Sequence, residues 1–445
     1  MNLYPHQIEA LNLIKDHNRC AIYYDMGLGK TFIGSEKMHE IGATINLVIC
    51  QKSKIDDWIK HFETNYKDCW VYDLTKQKDR VSFIEFATCE NDFDIQEMTD
   101  GNCPMQFVGV INYDLVWRRR ELLGLMDFTL MLDESSLITN RQAERSKFIL
   151  NMAPSNVILL SGTPTAGKYE KLWSQLQLLG WDIDEDIFFK SYVDYKWVDR
   201  DGYWDKQILG YKNVDHLKRK LAKYGAIFKK TEEVIDLPEQ VEQIINLEPD
   251  KKYKQFQKNH YISMWQGPER EPIELIGDTV LTKILYERQL CGQYLTDKLD
   301  AFKDIVESTE DRLIVFYNFN EELIRLYSIA SDYDRPISVV NGKQKQLVMY
   351  EKYANSITFV QYQAGAYGLN LQKANRVIYF TLPLGIGSCD LWEQSKKRIH
   401  RIGQDRTCFY YYLIVKNSIE TWNFELLKKG KELTDDLFTK EERND

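Results

Sequence analysis

The stretch Tyr24–Thr31, which reads YDMGLGKT, is the clearest indication of the fold in this sequence. The apolar run Cys20–Tyr24 precedes it, and the helical pattern FIGSEKMHEI follows it. Strand, glycine-containing turn, Lys-Thr and helix is the layout of a phosphate-binding loop, whose backbone N–H groups face an anion at a helix N-terminus. Lys30 would then reach the terminal phosphates and the Thr31 hydroxyl would coordinate Mg²⁺. The full pattern opens with another glycine where this chain has Tyr24, so an ordinary glycine turn before a helix stays open as the alternative.

Length and composition indicate a globular protein of more than one domain. The chain has 445 residues, too many for one hydrophobic core, and we expect two or three domains. Hydrophobic residues make up 44% and charged residues 28%, which is ordinary for a soluble protein. The net charge of −9 argues against wholesale binding of nucleic acid, although it permits a local basic groove.

Cysteine usage and hydropathy favour a location in the reducing cytoplasm. No apolar stretch reaches the length of a membrane span, and the N-terminus MNLYPHQIEA lacks the regions of a signal peptide. The cysteines show no paired metal-ligand spacing, which suits free thiols rather than a disulfide framework or a zinc site. They are Cys20, Cys50, Cys69, Cys89, Cys103, Cys291, Cys389 and Cys408.

Short apolar runs between helical patterns predict an α/β fold with two lobes, each a doubly wound parallel sheet buried on both faces. The runs are Cys20–Tyr24, Leu47–Cys50, Val108–Ile111, Leu130–Asp133, Val157–Ser161, Leu313–Tyr317, Ile337–Val340, Ile357–Gln361, Val377–Thr381 and Phe409–Val415. We expect lobe 1 at 1–235 with a helical insertion at about 168–235. Lobe 2 is expected at 236–445 with a helical insertion at about 250–295 and a fraying C-terminal helix from Lys428.

An apolar run that ends in two acids, Leu130–Glu134, is the first partner that a phosphate loop needs. An acid at the carboxyl end of such a strand holds Mg²⁺, and a neighbouring carboxylate orients and deprotonates the attacking water. A strand-terminal Asp-Glu also occurs as a solvated loop. Its place downstream of Lys30 in a parallel lobe favours Asp133 as the metal ligand and Glu134 as the base.

Two other segments qualify as partners of the loop. Ser161–Pro164 (SGTP) follows the next apolar run and is either a link to the nucleotide site or a plain strand-end turn. Gln394–Gln404 (QSKKRIHRIGQ) is the strongest basic cluster, and on a helix Arg398 and Arg401 would share a face. Arginines that one lobe aims at phosphates held by the other stabilise transition-state charge. The alternative is a solvated basic helix face.

Taken in order, these segments resemble the motifs of the Swi/Snf-type ATPases of helicase superfamily two. Asp25–Thr31 (DMGLGKT) and Arg398–Gln404 (RIHRIGQ) match that family nearly letter for letter. The resemblance runs from about Leu3 to Glu420. Further similar segments are Tyr4–Gln7, Leu47–Phe62 with its Trp58, Val110–Leu115, Ser161–Pro164, Phe228–Pro238, Leu313–Leu323 and Ala364–Leu371.

The resemblance implies two tandem RecA-like lobes that use ATP and Mg²⁺. It implies nucleotide contacts at Gln7, Asp25, Met26, Gly27, Leu28, Gly29, Lys30, Thr31, Gly368 and Gln404. Thr31 and Asp133 would hold the metal, and Lys30, Glu134, Arg398 and Arg401 would be catalytic. Implied nucleic-acid contacts are Lys52, Lys54, Asn112, Tyr113, Thr163, Asn318 and Gln361.

The chain also departs from the family pattern. Ser135 and Ser136 follow the acids where the family usually has alanine or glycine and then histidine, which puts the coupling role of that histidine in doubt. Gln361-Tyr362 stand where the family's fifth motif normally begins with Ser-Thr, so its nucleic-acid contacts would differ. Without recognisable chromatin-reading or zinc-bearing extensions, the chain resembles a bare motor of the kind expected in a phage or bacterium. The resemblance thus implies a nucleoid-associated protein or one that acts in a phage-infected host cell.

Three functions follow from these motifs. The leading hypothesis is an ATP-dependent translocase or remodeller acting as a monomer on double-stranded DNA, in which hydrolysis opens and closes the lobes and motif residues grip backbone phosphates. The second is a strand-separating DNA or RNA helicase, which shares all the ATP motifs. The third is a nucleotide-gated DNA-binding clamp, which has no chemical need for Lys30, Glu134 and the paired arginines together.

Basic and aromatic residues near the motifs suggest where nucleic acid would bind. We expect a positive groove made of Lys52, Lys54, Arg118–Arg120, Lys229, Lys230 and Lys396–Lys397. Five aromatic residues of the middle segment could stack on bases, although the core of an insertion is the more common use of such residues. These are Tyr192, Tyr195, Trp197, Tyr203 and Trp204.

Overall fold

The computed structural model describes residues 3–88, 106–165, 168–200, 203–234, 236–265, 271–365, 369–385, 387–401 and 403–438. The chain divides into two compact units, Met1–Val234 with Glu432–Asp445, and Ile235–Lys431. The limits expected from the sequence differ from this division by one residue at the junction. The sequence also placed the C-terminal residues in the second lobe, whereas the structure counts Glu432–Asp445 with the first unit.

The first unit contains helices and parallel strands in alternation. Its described strands are β1 Arg19–Tyr24, β2 Ile45–Cys50, β3 Cys69–Asp73, β4 Gln106–Asn112, β5 Thr129–Asp133, β6 Asn156–Leu160, β7 Val193–Arg200, β8 Tyr203–Tyr211 and β9 Ala226–Lys229. Its described helices are α1 Pro5–Leu13, α2 Lys30–Ile41, α3 Ile55–Asn65, α4 Gln77–Ala87, α5 Tyr113–Val116, α6 Glu144–Leu150, α7 Trp173–Leu178, α8 Glu185–Tyr192 and α9 Val214–Lys223.

Strand order in this unit brings the candidate motifs to one edge. In the described part of the chain the sheet runs β3-β4-β2-β5-β6-β1-β9, and every pairing in it is parallel. Because β5, β6 and β1 are neighbours, the segments that follow them meet at the carboxyl edge of the sheet. These segments are the acidic turn at Asp133-Glu134, the Ser161–Pro164 turn and the loop before Lys30.

Both faces of the first sheet are covered, as the continuous apolar runs predict. Ala21 and Tyr23 of β1 belong to a large buried cluster on one face. On the opposite face α2 packs so closely that a Cβ added to its Gly34 would lie 3.0 Å from Leu160 and 3.1 Å from Met131. The helix that follows the loop is thereby fixed directly over the central strands.

The second unit is a second α/β sheet with its own core. Its described strands are β10 Gln240–Leu247, β11 Tyr261–Met264, β12 Ile273–Ile276, β13 Leu313–Tyr317, β14 Ile337–Val340, β15 Lys345–Gln346, β16 Ile357–Gln361, β17 Arg376–Tyr379 and β18 Cys408–Val415. Its described helices are α10 Lys251–Asn259, α11 Val280–Gln293, α12 Thr296–Glu307, α13 Asn320–Ser331, α14 Val348–Lys352, α15 Tyr362–Gly365, α16 Ser388–Lys396 and the greater part of α17 Ile419–Phe438, which from Glu432 onward is counted with the first unit.

The second sheet is also sandwiched between helices. Its described strands run β10-β18-β17-β13-β16-β14-β15, parallel except for the short β15. Alternate residues of β13 enter different cores: Ile314 and Phe316 join one buried cluster, and Leu313, Val315 and Tyr317 join another. The predicted fold class, α/β with two doubly wound parallel-sheet lobes, is confirmed.

The predicted helical insertions are wrong in part, because each contains an antiparallel hairpin. β7 pairs with β8 inside the first insertion, and β11 pairs with β12 inside the second. The first insertion also supplies β9, which joins the main sheet. β7 and β8 mix charged and aromatic residues, and β9, β11 and β12 are only four residues long, so none of them has the longer continuous apolar run that marks a buried parallel strand.

The four strands at the edges of the two main sheets in the described part of the chain, β3, β9, β10 and β15, were not expected from the sequence. β10 reads QVEQIINL and exposes most of its length, because only one neighbour covers it. No helix in the described part of the chain is long and apolar enough to cross a membrane.

Candidate functional site

The loop before α2 has the backbone of an anion-binding turn. Gly27 and Gly29 have φ of 88° and 72°, values in the left-handed region that favours glycine. Gly29 caps α2 at its N-terminus, and the first turn of that helix carries no acidic residue. The positive end of the helix dipole is therefore not neutralised locally, which suits a phosphate.

Residues at the start of α1 brace this loop. The Gln7 amide donates to Gly29 O at 3.4 Å, and the His6 ring hydrogen-bonds Leu28 O at 3.0 Å. A Cβ on Gly29 would lie 2.1 Å from Gln7 Nε2, so a side chain at this position would displace the glutamine. Gln7 is thus placed beside the loop, while its contact with adenine stays a prediction.

The Lys30 ammonium lies folded over the loop, next to the SGTP turn. Its Nζ donates to Tyr24 O at 2.8 Å and to Asp25 O at 3.2 Å. A Cβ on Gly162 would lie 3.5 Å from the same nitrogen. The cation that would face the phosphates therefore already lies between the ends of β1 and β6.

The acidic turn is held by two aromatic side chains. Trp58 Nε1 donates to Asp133 Oδ2 at 2.8 Å, and Tyr113 Oη donates to Asp133 O at 3.0 Å. Glu134 has a φ of 59°, in the left-handed region that non-glycine residues rarely adopt. Burial raises the pKa of Asp133, and the Trp58 bond, Lys30 and Lys54 oppose that rise. Trp58 was placed in a motif from the sequence, but its bond to the acid was not foreseen.

The residues present suit Mg²⁺ bound together with phosphates rather than a metal held by protein alone. Among the described residues no group of three or more His, Cys, Asp or Glu could hold a metal ion. Mg²⁺ usually takes one or two carboxylates and completes its shell with water and substrate phosphates. One carboxylate, Asp133, and the hydroxyl of Thr31 at the start of α2 form a donor set of that kind.

Three predicted nucleic-acid contacts in the first unit are buried, which argues against direct contact. Asn112, Tyr113 and Thr163 are 2%, 3% and 4% exposed. The Tyr113 hydroxyl donates to the acidic turn, and the backbone N–H of Thr163 donates to Ser161 Oγ at 3.1 Å. These residues lie at strand ends beside the catalytic candidates, where the sheet edge encloses them.

Only some of the residues predicted to form a positive groove have exposed side chains. Lys52, Arg118 and Arg120 are exposed. Lys229 instead pairs with Glu9 at 3.0 Å, and Lys54 pairs with Asp57 at 2.8 Å. Lys396 is 5% exposed and forms an ion pair with Glu242 of β10. Lys396 therefore contributes to the core of the second unit rather than to a surface.

The two arginines of the second unit do not lie on a helix, because α16 ends at Lys396 and both Arg398 and Arg401 follow it. Arg398 is 3% exposed and donates to Leu369 O at 3.1 Å. Arg401 is more exposed and donates to Asn370 Oδ1 at 2.6 Å. Both guanidinium groups thus contact one adjacent segment, although they do not share a helix face.

Gln404 stabilises this segment, and its contact with nucleotide stays a prediction. Its amide nitrogen lies within hydrogen-bonding distance of Ala374 O at 2.7 Å, Gln372 O at 3.1 Å and Ile399 O at 3.2 Å. Its amide oxygen accepts from Arg406 N. With both ends bound to backbone, the side chain fixes the turn. Gly368, the other predicted nucleotide contact in this unit, lies outside the described residues.

Asn318 and Gln361 join strand ends at the carboxyl edge of the second sheet. Asn318 Nδ2 donates to Thr381 Oγ1 at 2.9 Å and to Leu382 O at 3.0 Å. Gln361 Nε2 donates to Asn318 O at 3.0 Å. Both residues are half-buried, and their amides bond within the protein, so nucleic-acid contact by either stays a prediction.

Comparison with known proteins identifies both parts of the chain. Residues 6–294 match the SNF2-related domain, and residues 297–403 match the helicase conserved C-terminal domain. A solved structure, the Sulfolobus solfataricus SWI2/SNF2 ATPase core in complex with dsDNA, covers 98% of this chain and 93% of its own at 19% identity, with a TM-score of 0.43.

Full-length relatives are similar along nearly the whole chain. The human DNA annealing helicase and endonuclease ZRANB3 is 24% identical over 443 residues, covering 95% of this chain and 39% of that protein. The putative ATP-dependent helicase/translocase YwqA of Bacillus subtilis is 25% identical over 458 residues, covering 94% of this chain and 46% of that protein. The chain therefore spans less than half the length of either relative. Because the SNF2-related match alone extends over more than half of its residues, the chain belongs to the SNF2-related family.

Proposed function

We propose that the chain is an ATP hydrolase that couples hydrolysis to translocation along double-stranded DNA. The observation that carries this proposal is the meeting of three segments at the edge of one sheet: the phosphate loop, the SGTP turn and the acidic turn, which follow the adjacent strands β1, β6 and β5. Membership of the SNF2-related family supports the same reaction.

In the proposed reaction the first unit binds ATP and activates the attacking water. Lys30 orients the terminal phosphates and neutralises their charge, and Glu134 accepts a proton from the attacking water. Mg²⁺, held by Thr31 and Asp133, would supply further charge neutralisation when bound. Trp58 keeps the Asp133 carboxylate in a fixed orientation, since its indole bonds one of the two carboxylate oxygens.

The arginines of the second unit complete the reaction. An arginine that reaches the phosphates in the transition state accelerates hydrolysis by ~10³–10⁵. Of the two candidates, Arg401 is the more available, because it is partly exposed and bonds a side-chain amide. The nearly buried Arg398 donates to backbone and holds the turn in shape. We therefore assign the charge-stabilising role to Arg401 and a supporting role to Arg398.

DNA is the proposed polymer partner. The relative YwqA is named a putative ATP-dependent helicase/translocase, and ZRANB3 is named a DNA annealing helicase and endonuclease. In this chain the exposed cations Lys52, Arg118 and Arg120 are candidate phosphate contacts. Contacts of that kind are independent of base sequence and weaken as salt rises.

The experiment is an ATPase assay with duplex DNA, single-stranded DNA, RNA and no nucleic acid at low salt, with Lys30→Ala as the inactive reference. We expect the largest stimulation with duplex DNA and loss of that stimulation at high salt. Equal rates with and without duplex DNA would contradict the proposal. Two further assays separate translocation from strand separation. A translocase should displace a triplex-forming strand without unwinding a forked duplex, whereas unwinding of the fork without triplex displacement would support the helicase.

A further inference from the structure

Buried beneath the candidate ATP site, a single amide joins two of its turns. Ser135 Oγ donates to Gln175 Oε1 at 2.7 Å, and Gln175 Nε2 donates to Pro164 O at 2.6 Å. Tyr23 Oη donates to the same Oε1 at 3.0 Å. Ser135 follows the two acids, Pro164 closes the SGTP turn, and Tyr23 lies on the strand that leads into the phosphate loop.

The orientation of this amide is determined by its partners. The Pro164 carbonyl can only accept, so the Gln175 nitrogen must face it and the oxygen must face the two hydroxyls. Ser135, Gln175 and Tyr23 are all 0% exposed, so water cannot replace a lost partner. A buried polar group that loses its partner bears its full desolvation penalty, which makes the three bonds interdependent.

The acidic turn needs such a restraint. Glu134, the proposed base, has left-handed backbone angles, φ 59° and ψ 61°, which a residue with a side chain adopts only where its surroundings enforce them. Ser135 is the next residue and begins the 3₁₀ turn Ser135–Ile138. Its bond to Gln175 restrains the turn in addition to the bonds from Trp58 and Tyr113. The family pattern that the chain resembles has alanine or glycine at Ser135, neither of which could donate this bond.

We propose that Gln175 is a positioning residue for ATP hydrolysis, acting through Ser135 and Pro164 to set the acidic turn relative to the SGTP turn. The amide keeps the Glu134 carboxylate and the Lys30 ammonium in fixed relation, although it touches neither substrate nor metal. This inference rests on the proposed ATPase activity. It adds a role for Gln175, which the sequence analysis did not single out, and for Ser135, which departs from the family pattern.

The test compares Ser135→Ala, Gln175→Leu and the double variant with wild type in kcat, KM for ATP and thermal unfolding. Loss of one buried hydrogen bond that acts in the transition state lowers kcat about tenfold. We expect that loss in Ser135→Ala with KM for ATP changed less than about twofold, and a larger loss in Gln175→Leu. Because both variants break one bridge, the double variant should be no slower than Gln175→Leu alone.

A matched control is Ser146→Ala in α6. Ser146 is also 0% exposed, and its hydroxyl has no hydrogen-bond partner among the described residues, so the variant removes a buried hydroxyl without breaking a bridge. We expect wild-type kcat from it. A Ser135→Ala variant with wild-type kcat, or one that only unfolds at lower temperature, would overturn the inference while leaving the ATPase proposal intact. A wild-type chain that hydrolyses no ATP would overturn both.

Discussion

Replacement of Trp58 by phenylalanine tests whether the acidic turn binds metal as proposed. The change removes the 2.8 Å bond from the indole nitrogen to Asp133 Oδ2 and keeps an aromatic ring against Phe62, whose ring centre lies 5.7 Å away. Because Trp58 is 2% exposed, water has little access to replace the donor. Packing is thus largely retained while the carboxylate loses its orienting partner.

The expected size of the effect follows from that bond. A hydrogen bond to a charged acceptor contributes ~1.5–3 kcal/mol. Removing a partner that orients a metal ligand costs about 10–100-fold in metal affinity. We therefore expect Trp58→Phe to raise the Mg²⁺ concentration for half-maximal ATPase activity by at least about tenfold. The kcat at saturating Mg²⁺ should recover most of the wild-type value.

The assay is a Mg²⁺ titration of ATPase activity at fixed ATP and DNA, with Trp173→Phe as the matched control. Trp173 is half-buried, and its indole donates to Ile183 O at 2.9 Å, away from both acids. The control variant loses an indole bond of similar length but should keep the wild-type Mg²⁺ dependence. If the two variants titrate alike, Trp58 does not position Asp133 and the proposed metal site is wrong.

Three further changes test separate parts of the structure. Gly29→Ala and Gly42→Ala both place a Cβ at a left-handed φ, 72° and 71°, so each should lower the free energy of unfolding by ~1–2 kcal/mol. Only Gly29→Ala should abolish ATP binding, which a titration with a fluorescent nucleotide measures. Lys298→Met leaves a buried carboxylate without its cation and should cost ~3–5 kcal/mol in urea unfolding. Lys416→Met breaks an exposed pair and should leave the unfolding free energy nearly unchanged, and equal losses in the two variants would contradict this. Arg401→Ala should lower kcat by ~10³ or more with little change in KM for ATP, and an unchanged kcat would exclude the arginine role.

Much of the fold was predictable because its central strands are buried on both faces. Runs such as Leu313–Tyr317 and Ile357–Gln361 are continuous and apolar, and each coincides with an observed strand. The same principle explains the misses. β10 is covered by one neighbour and exposes polar residues such as Gln240, Gln243 and Asn246, so it does not need a continuous apolar run. β7 and β8 form a hairpin outside the main sheets and do not need one either.

Site residues with one chemical purpose were easier to predict than those that depend on neighbours. The glycines and Lys30 are defined by local backbone and charge, which the sequence displays directly. Gln404 lies in a motif that suggests a ligand contact, but its amide bonds the carbonyls of Gln372 and Ala374, which are distant from it in the sequence. Tyr113 likewise bonds the carbonyl of Asp133, a contact set by β4 and β5 rather than by its own motif.

The most direct test of the proposed function measures the ATPase rate of the wild-type chain and of Glu134→Gln, with and without duplex DNA at low salt. The glutamine keeps the size of the side chain but cannot accept the proton of the attacking water. We predict duplex-stimulated hydrolysis by wild type, and a loss of at least ~10² in kcat for Glu134→Gln with ATP binding retained. A wild-type rate that duplex DNA leaves unchanged, or a Glu134→Gln variant as fast as wild type, would contradict it.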